Sequence, residues 1–225
     1  MNDYSAALST IEATVLGADA PLAAIEEVAA RAVKFGFHGV CVAPSRVALA
    51  ASLLSGTGRV VVSVVGFPLG NTLTETKVRE VRELLDAGAS EVDMVMNVGA
   101  FLDGDEGLIA NEFAQARRAA GDATLKVILE TGYLTAEEIR RAGALAVGEG
   151  ADFLKTSTGY GPRGASIEDI EILRGITNVK GIKASGGIRH ADELLSMLAA
   201  GASRIGTSSD SGIALELLAR GPSSG

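Results

Sequence analysis

Short runs rich in Val, Ile, Leu and Met punctuate the chain, and between them Ala, Leu and Glu repeat at helical spacing. The apolar runs predict strands near 10–16 (TIEATVL), 38–43 (HGVCVA), 59–65 (RVVVSVV) and 91–97 (EVDMVMN). Four more follow near 124–130 (TLKVILE), 152–156 (DFLKT), 179–184 (VKGIKA) and 203–207 (SRIGT). Stretches such as APLAAIEEVAARAVKFG and TAEEIRRAGALAVGEGA read as the intervening helices. Gly36, Gly88, Gly150 and Gly201 stand where a helix ends and a left-handed residue is wanted. Eight strands alternating with helices pair in parallel through right-handed crossovers. The count of eight predicts a closed (β/α)8 barrel, an α/β fold, in one domain over residues 1–220. The missing GxGxxG after the first strand argues against a dinucleotide-binding sheet.

Composition narrows the function. The chain has 225 residues, 47% hydrophobic but only 4% aromatic, which suits one large core built from aliphatic strands. A net charge of −8 disfavours nucleic acid as a partner, so an anionic ligand would have to be held by local dipoles and single cations. The lone Cys41 permits no intrachain disulfide and fits a cytoplasmic protein. The start, MNDYSAALST, lacks the pattern of a signal peptide, and no apolar run is long enough for a membrane span. Residues 221–225, GPSSG, read as a disordered tail or an expression scar.

In a (β/α)8 barrel, chemistry sits at the C-terminal ends of the strands, and phosphate usually binds after strands 7 and 8. Three apolar runs carry a charge: Asp93 in EVDMVMN, Lys155 in DFLKTS and Lys183 in GIKASGG. A buried ammonium costs several kcal/mol unless it is paired or loses its proton. Period-2 alternation can turn all three inward near the barrel mouth. Either they form a structural ion pair, with lysines snorkelling outward, or they form a reactive site. Two close lysines lower the pKa of one, and bringing an amine from about 10.4 to about 7 takes roughly 4–5 kcal/mol. A neutral amine can attack a carbonyl and form a Schiff base. Asp93 would then serve as general acid/base. Lys126 and Lys180, near the N-terminal starts of their strands, are expected on the stability face.

TSTG at 156–159, SGGI at 185–188 and GTSS at 206–209 follow the last three strands and could cradle a phosphate on backbone N–H groups. No metal or other cofactor is expected. His38 and His190 are far apart, without HExxH or a cysteine pair, and read as structural or exposed. Cys41 reads as a buried apolar residue, and the charges of ETKVREVRE as a solvated helix face.

The ordered set GFPLG (66–70), EVDMVMNVGAF (91–101), LKVILETGYLT (125–135), ADFLKTSTGYGPRGAS (151–166) and GIKASGGIR (181–189) resembles the class I deoxyribose-phosphate aldolase family from about Ile11 to Ser209. The resemblance implies a barrel that reversibly cleaves 2-deoxyribose 5-phosphate to glyceraldehyde 3-phosphate and acetaldehyde, and it implies a homo-oligomer. It also implies Lys155 as the Schiff-base residue, Asp93 as the proton relay and Lys183 as the pKa-lowering partner. Gly159, Gly186, Gly187, Ser208 and Ser209 match the phosphate positions. Glu12, Ala13, Ala43 and Asp210 depart from the family pattern, and Asp210 is expected to place a negative charge near the phosphate. Two other readings remain open: a Schiff-base aldolase or transaldolase for another sugar phosphate, and a non-catalytic sugar-phosphate-binding barrel.

Overall fold

The computed structural model describes residues 4–220; the tail expected at 221–225 lies outside them. Strands β1 (Ile11–Val15), β2 (Gly39–Val42), β3 (Val60–Val65), β4 (Glu91–Val95), β5 (Thr124–Ile128), β6 (Phe153–Lys155), β7 (Gly181–Ser185) and β8 (Arg204–Thr207) pair in parallel in sequence order. The β1–β8 pairing closes the barrel. All eight predicted strands are present, most with shorter ends than the apolar runs suggested, while β7 starts later and runs to Ser185.

A short helix, α1 (Ser5–Leu8), precedes β1. Between β1 and β4 lie α2 (Leu22–Phe35), α3 (Val47–Leu54) and α4 (Thr74–Asp86). After β4 come α5 (Val98–Leu102) and α6 (Glu106–Ala120), and α7 (Ala136–Gly148) follows β5. The remaining crossovers are α8 (Ile167–Arg174) and α9 (Ala191–Ala200), and α10 (Asp210–Ala219) follows β8. Thr135 with Glu138 and Ser166 with Asp169 form capping boxes that start α7 and α8 by satisfying free N–H groups. Gly36, Gly88, Gly150 and Gly201 all take positive φ, as their places after helices require. No helix among the described residues is long and apolar enough to cross a membrane.

Strand alternation divides the interior. Val92 and Met94, Leu154, and Ile182 and Ala184 face outward into the core shared with the helices. Their neighbours Asp93, Lys155 and Lys183 therefore face into the barrel. On the β2–β3 side the barrel is filled by Cys41, Val62 and Val64, with Leu16 and Phe67 packed on them. Burial pushes the Cys41 thiol pKa up, consistent with an apolar role. Opposite this apolar half, the interior is ionic.

One expectation fails on α4. Most charges of ETKVREVRE are exposed, but Lys77 is fully buried. It donates to Glu112 Oε1 on α6 (2.7 Å) and to the Val95 carbonyl (2.8 Å), tying two helices to the end of β4. Helical spacing puts Lys77 one residue before the core position Val78, and its long stem allows the charge to reach a partner that local sequence does not show.

Candidate active site

Two lysines that face inward at one level explain why a charge is tolerated here. Lys155 and Lys183 are register partners on β6 and β7. Both ammoniums donate to the same oxygen, Asp93 Oδ2, at 2.8 and 2.6 Å. Space for Lys183 comes from a missing side chain: a Cβ on Gly206 would lie 3.0 Å from Lys183 Cε. The outward, snorkelling alternative is therefore wrong.

Asp93 has a third partner. Lys126, expected on the stability face, instead points into the barrel and donates to Asp93 Oδ1 at 3.0 Å. It also lies 2.5 Å from Glu91 Oε2 and 3.5 Å from Glu12 Oε1. Its Cα is low in the barrel, as the sequence indicated, but the extended side chain belongs to the ionic cluster. Lys180 is exposed on Asp152, as expected. Glu12 is fully buried and accepts from Lys183, and His38 Nε2 lies 3.0 Å from Glu91 Oε1. Glu12, Glu91 and Asp93 thus balance Lys126, Lys155 and Lys183 in charge.

The electrostatics follow from that balance. Burial alone would raise the Asp93 pKa, but the three ammoniums hold the carboxyl well below its usual range. Burial likewise opposes the charge on Lys183, yet Asp93 and Glu12 outweigh it and raise its pKa above the ordinary value. Lys126 is raised for the same reason. Burial also pushes Glu91 up, but His38 and Lys126 lower its pKa to about 2. Lys183 is therefore a fixed cation, and Asp93 is an anion held by three ammonium nitrogens.

A cavity of about 330 Å³ opens above this cluster at the C-terminal ends of the strands. Lys155 reaches its wall, whereas Asp93 and Lys183 lie beneath it. Thr158–Tyr160 follow β6 into the wall, Gly186–Arg189 follow β7, Thr207 ends β8 and Ser208 follows it. The Tyr160 ring meets Phe67 edge-on at 5.5 Å beside the opening. The N–H groups of Gly159, Gly186, Gly187 and Ser208 meet no acceptor among the described residues. Such free donors in a polar cavity suit an anion. Arg189, which sequence reasoning passed over, lines the same cavity as an exposed cation. A larger groove of about 720 Å³ between α7 and α8 is lined by Lys180 and by none of Lys126, Lys155 and Lys183.

Two expected site features change. Ser209 is not in the cavity wall, and its N–H is taken by Thr207 Oγ1 at 2.9 Å. Asp210 does not face the anion site either. It is buried and accepts from Arg31 of α2 at 2.6 and 3.1 Å. Asp210→Gly is therefore expected to leave Arg31 with only its 4.0 Å contact to the exposed Glu27 and lower the thermal midpoint, with the Michaelis constant for phosphorylated substrate unchanged. Melting curves and kinetics of the variant check both halves.

His38 with Glu12 and Glu91 brings three possible metal-ligand atoms within 4.8 Å of one another. The Lys126 ammonium already sits against both carboxylates, so these residues do not fit a resident metal ion. His190 is exposed and pairs with Glu216.

The match to known proteins covers nearly the whole chain. Residues 3–221 match the model of the DeoC/LacD family aldolases. The chain belongs to this family. It is 47% identical over 201 residues to the deoxyribose-phosphate aldolase of Aciduliprofundum boonei, covering 88% of this chain and 90% of that one. It is 49% identical over 183 residues to that of Thermococcus gammatolerans, covering 79% and 81%. Among solved structures, a putative deoxyribose-phosphate aldolase from Coccidioides immitis superposes with a TM-score of 0.92 at 38% identity, over 96% of this chain and 87% of that one. The deoxyribose phosphate aldolase of Aeropyrum pernix, described as having a unique tetrameric structure, gives 0.88 at 28% identity, over 98% and 94%.

Proposed function

We propose that the protein is a class I deoxyribose-phosphate aldolase, reversibly cleaving 2-deoxy-D-ribose 5-phosphate to D-glyceraldehyde 3-phosphate and acetaldehyde through a Schiff base on Lys155. The observation that carries this reading is that, of the Asp93-bound amines, Lys155 reaches the cavity wall. The relatives' activity supports the substrate.

In the cleavage direction the neutral Lys155 amine adds to the C1 aldehyde of the open-chain sugar, and loss of water leaves an iminium. A base removes the C3 hydroxyl proton, the C2–C3 bond breaks, and its electron pair moves into the iminium to give an enamine. Glyceraldehyde 3-phosphate leaves. Protonation of the enamine at C2 and hydrolysis then release acetaldehyde and the free amine. Asp93 Oδ2, hydrogen-bonded to both nitrogens, would take up and return the proton at Lys155 while Lys183 keeps its own. Its low pKa makes it a transfer point rather than a proton store. The iminium accepts the electron pair, so the reaction needs no cofactor. Gly159, Gly186, Gly187 and Ser208, with Arg189, would hold the phosphate. The reading includes assembly into a homo-oligomer, supported by the exposed Leu215 and Leu218 on α10 and by the tetramer described for the Aeropyrum relative.

The purified protein is expected to release acetaldehyde from deoxyribose 5-phosphate with a chelator present. Binding of the sugar phosphate without release would make it a binding barrel. Preferential cleavage of another sugar phosphate would make it a different Schiff-base aldolase.

A further inference from the structure

Glu130 stands two residues beyond β5 and has no role in the chemistry above. Its backbone lies at φ 54, ψ 59, in the left-handed region that a non-glycine residue adopts only when its surroundings hold it there. Its side chain is buried, at 3% exposure. Burying a carboxylate near a site built for an anion is doubly unfavourable, so the contacts it makes must outweigh that.

Those contacts converge on one residue of the cavity wall. The Glu130 carboxylate accepts from Thr158 N–H, at 3.1 Å to Oε2 and 3.3 Å to Oε1, and Oε2 also accepts from the Thr158 hydroxyl. The hydroxyl proton is thereby committed, and Thr158 Oγ1 accepts in turn from Tyr160 N–H at 3.0 Å. Gly159, between them, sits at φ 91 with its N–H free of protein acceptors among the described residues. The loop closes tightly over the carboxylate: a Cβ on Gly161 would lie 2.7 Å from Glu130 Oε1. A second brace holds the far side, where Arg163 donates to the Thr131 carbonyl at 3.2 Å and Thr131 Oγ1 to Asp169 at 2.9 Å.

We propose that Glu130 is a positioning residue: through Thr158 it fixes the Thr158–Gly159–Tyr160 turn so that the Gly159 N–H faces the phosphorylated end of the substrate. This rests on the phosphate reading of the cavity. It assigns Glu130 a selective effect, on the phosphate end rather than on Lys155.

The test compares kcat/KM for 2-deoxyribose 5-phosphate with kcat/KM for unphosphorylated 2-deoxyribose. Glu130→Gln and Thr158→Val are each expected to reduce that preference by roughly tenfold, the scale of one hydrogen bond involving a charged group. The double variant should be no worse than the poorer single one, because both act on one link. Thr158→Ser, which keeps the hydroxyl, should restore the preference. Ser208→Asp, which places a charge in the wall, tests the phosphate reading separately. If Ser208→Asp lowers the preference and Glu130→Gln does not, the positioning role is overturned and the phosphate reading stands. Equal loss on both substrates in Glu130→Gln overturns it too, since that marks a general structural role. If no variant changes the preference, both are overturned.

Discussion

Asp93→Asn is expected to cut kcat by about 10²–10⁴-fold, the usual range for a lost acid/base group. It should also move the midpoint of Schiff-base formation to lower pH. The side chain keeps its shape but loses the charge shared by Lys126, Lys155 and Lys183. An anion beside an ammonium holds its proton, so removing Asp93's charge favours the free amine that reacts. The variant should form the trapped adduct more readily in mild acid and still turn over slowly. Stability falls as well, because breaking a buried ion pair by removing one partner costs about 3–5 kcal/mol. At roughly 2–4 °C per kcal/mol for a chain of this size, the melting point should drop by about 6–20 °C. An unchanged adduct midpoint would mean that Asp93 does not govern the Lys155 proton.

Lys183→Met should move the same midpoint the other way. Lys183 is a fixed cation beside Lys155, with its pKa raised by Asp93 and Glu12. Its removal ends like-charge repulsion on Lys155 and leaves Asp93 Oδ2 to Lys155 alone, so both changes favour the protonated amine. Adduct formation should fall at pH 7 and recover at high pH. Burial still disfavours the ammonium, so the shift is partial, and coupled titration assigns the measured midpoint to the pair. A lower plateau at an unchanged midpoint would assign Lys183 to substrate positioning.

The cluster also sets an acid limit. Folding holds Glu91 at about 2 against an ordinary 4.5, so its contribution to stability is full above pH 4.5 and drains away as pH falls toward 2. Asp93, also depressed, loses its contribution in the same direction. Lys126 and Lys183 are raised, so their contribution is full below about 10.5 and is lost as alkali passes the folded values.

The barrel was legible because its signals are local: apolar runs for strands, alternation for facing, glycines after helices. Lys155, Lys183 and Asp93 stood out because each interrupts an apolar run. Glu12, Glu91 and His38 gave no such signal, since they lie at or near the starts of strand runs and their partners come from other strands. Lys126 was visible but misplaced, because strand position fixes the height of a Cα and not the reach of a four-carbon side chain. Asp210 was misplaced for a different reason. It follows Ser208 and Ser209 in sequence, but α10 begins there and turns its carboxylate toward Arg31 on α2. Lys77 had the same defect, its partner Glu112 lying on another helix. The strained backbone at Glu130 left no trace in composition at all, because nothing in LETGY demands a left-handed residue there.

Trapping with acetaldehyde and borohydride, followed by peptide mass spectrometry, tests the central claim most directly. Acetaldehyde carries no phosphate, so the result depends on the amine alone. One ethyl-sized addition is expected on the peptide containing Lys155, and none in Lys155→Leu. An adduct on Lys183 or Lys126, or one that survives Lys155→Leu in the cavity, would contradict the assignment of Lys155 as the nucleophile.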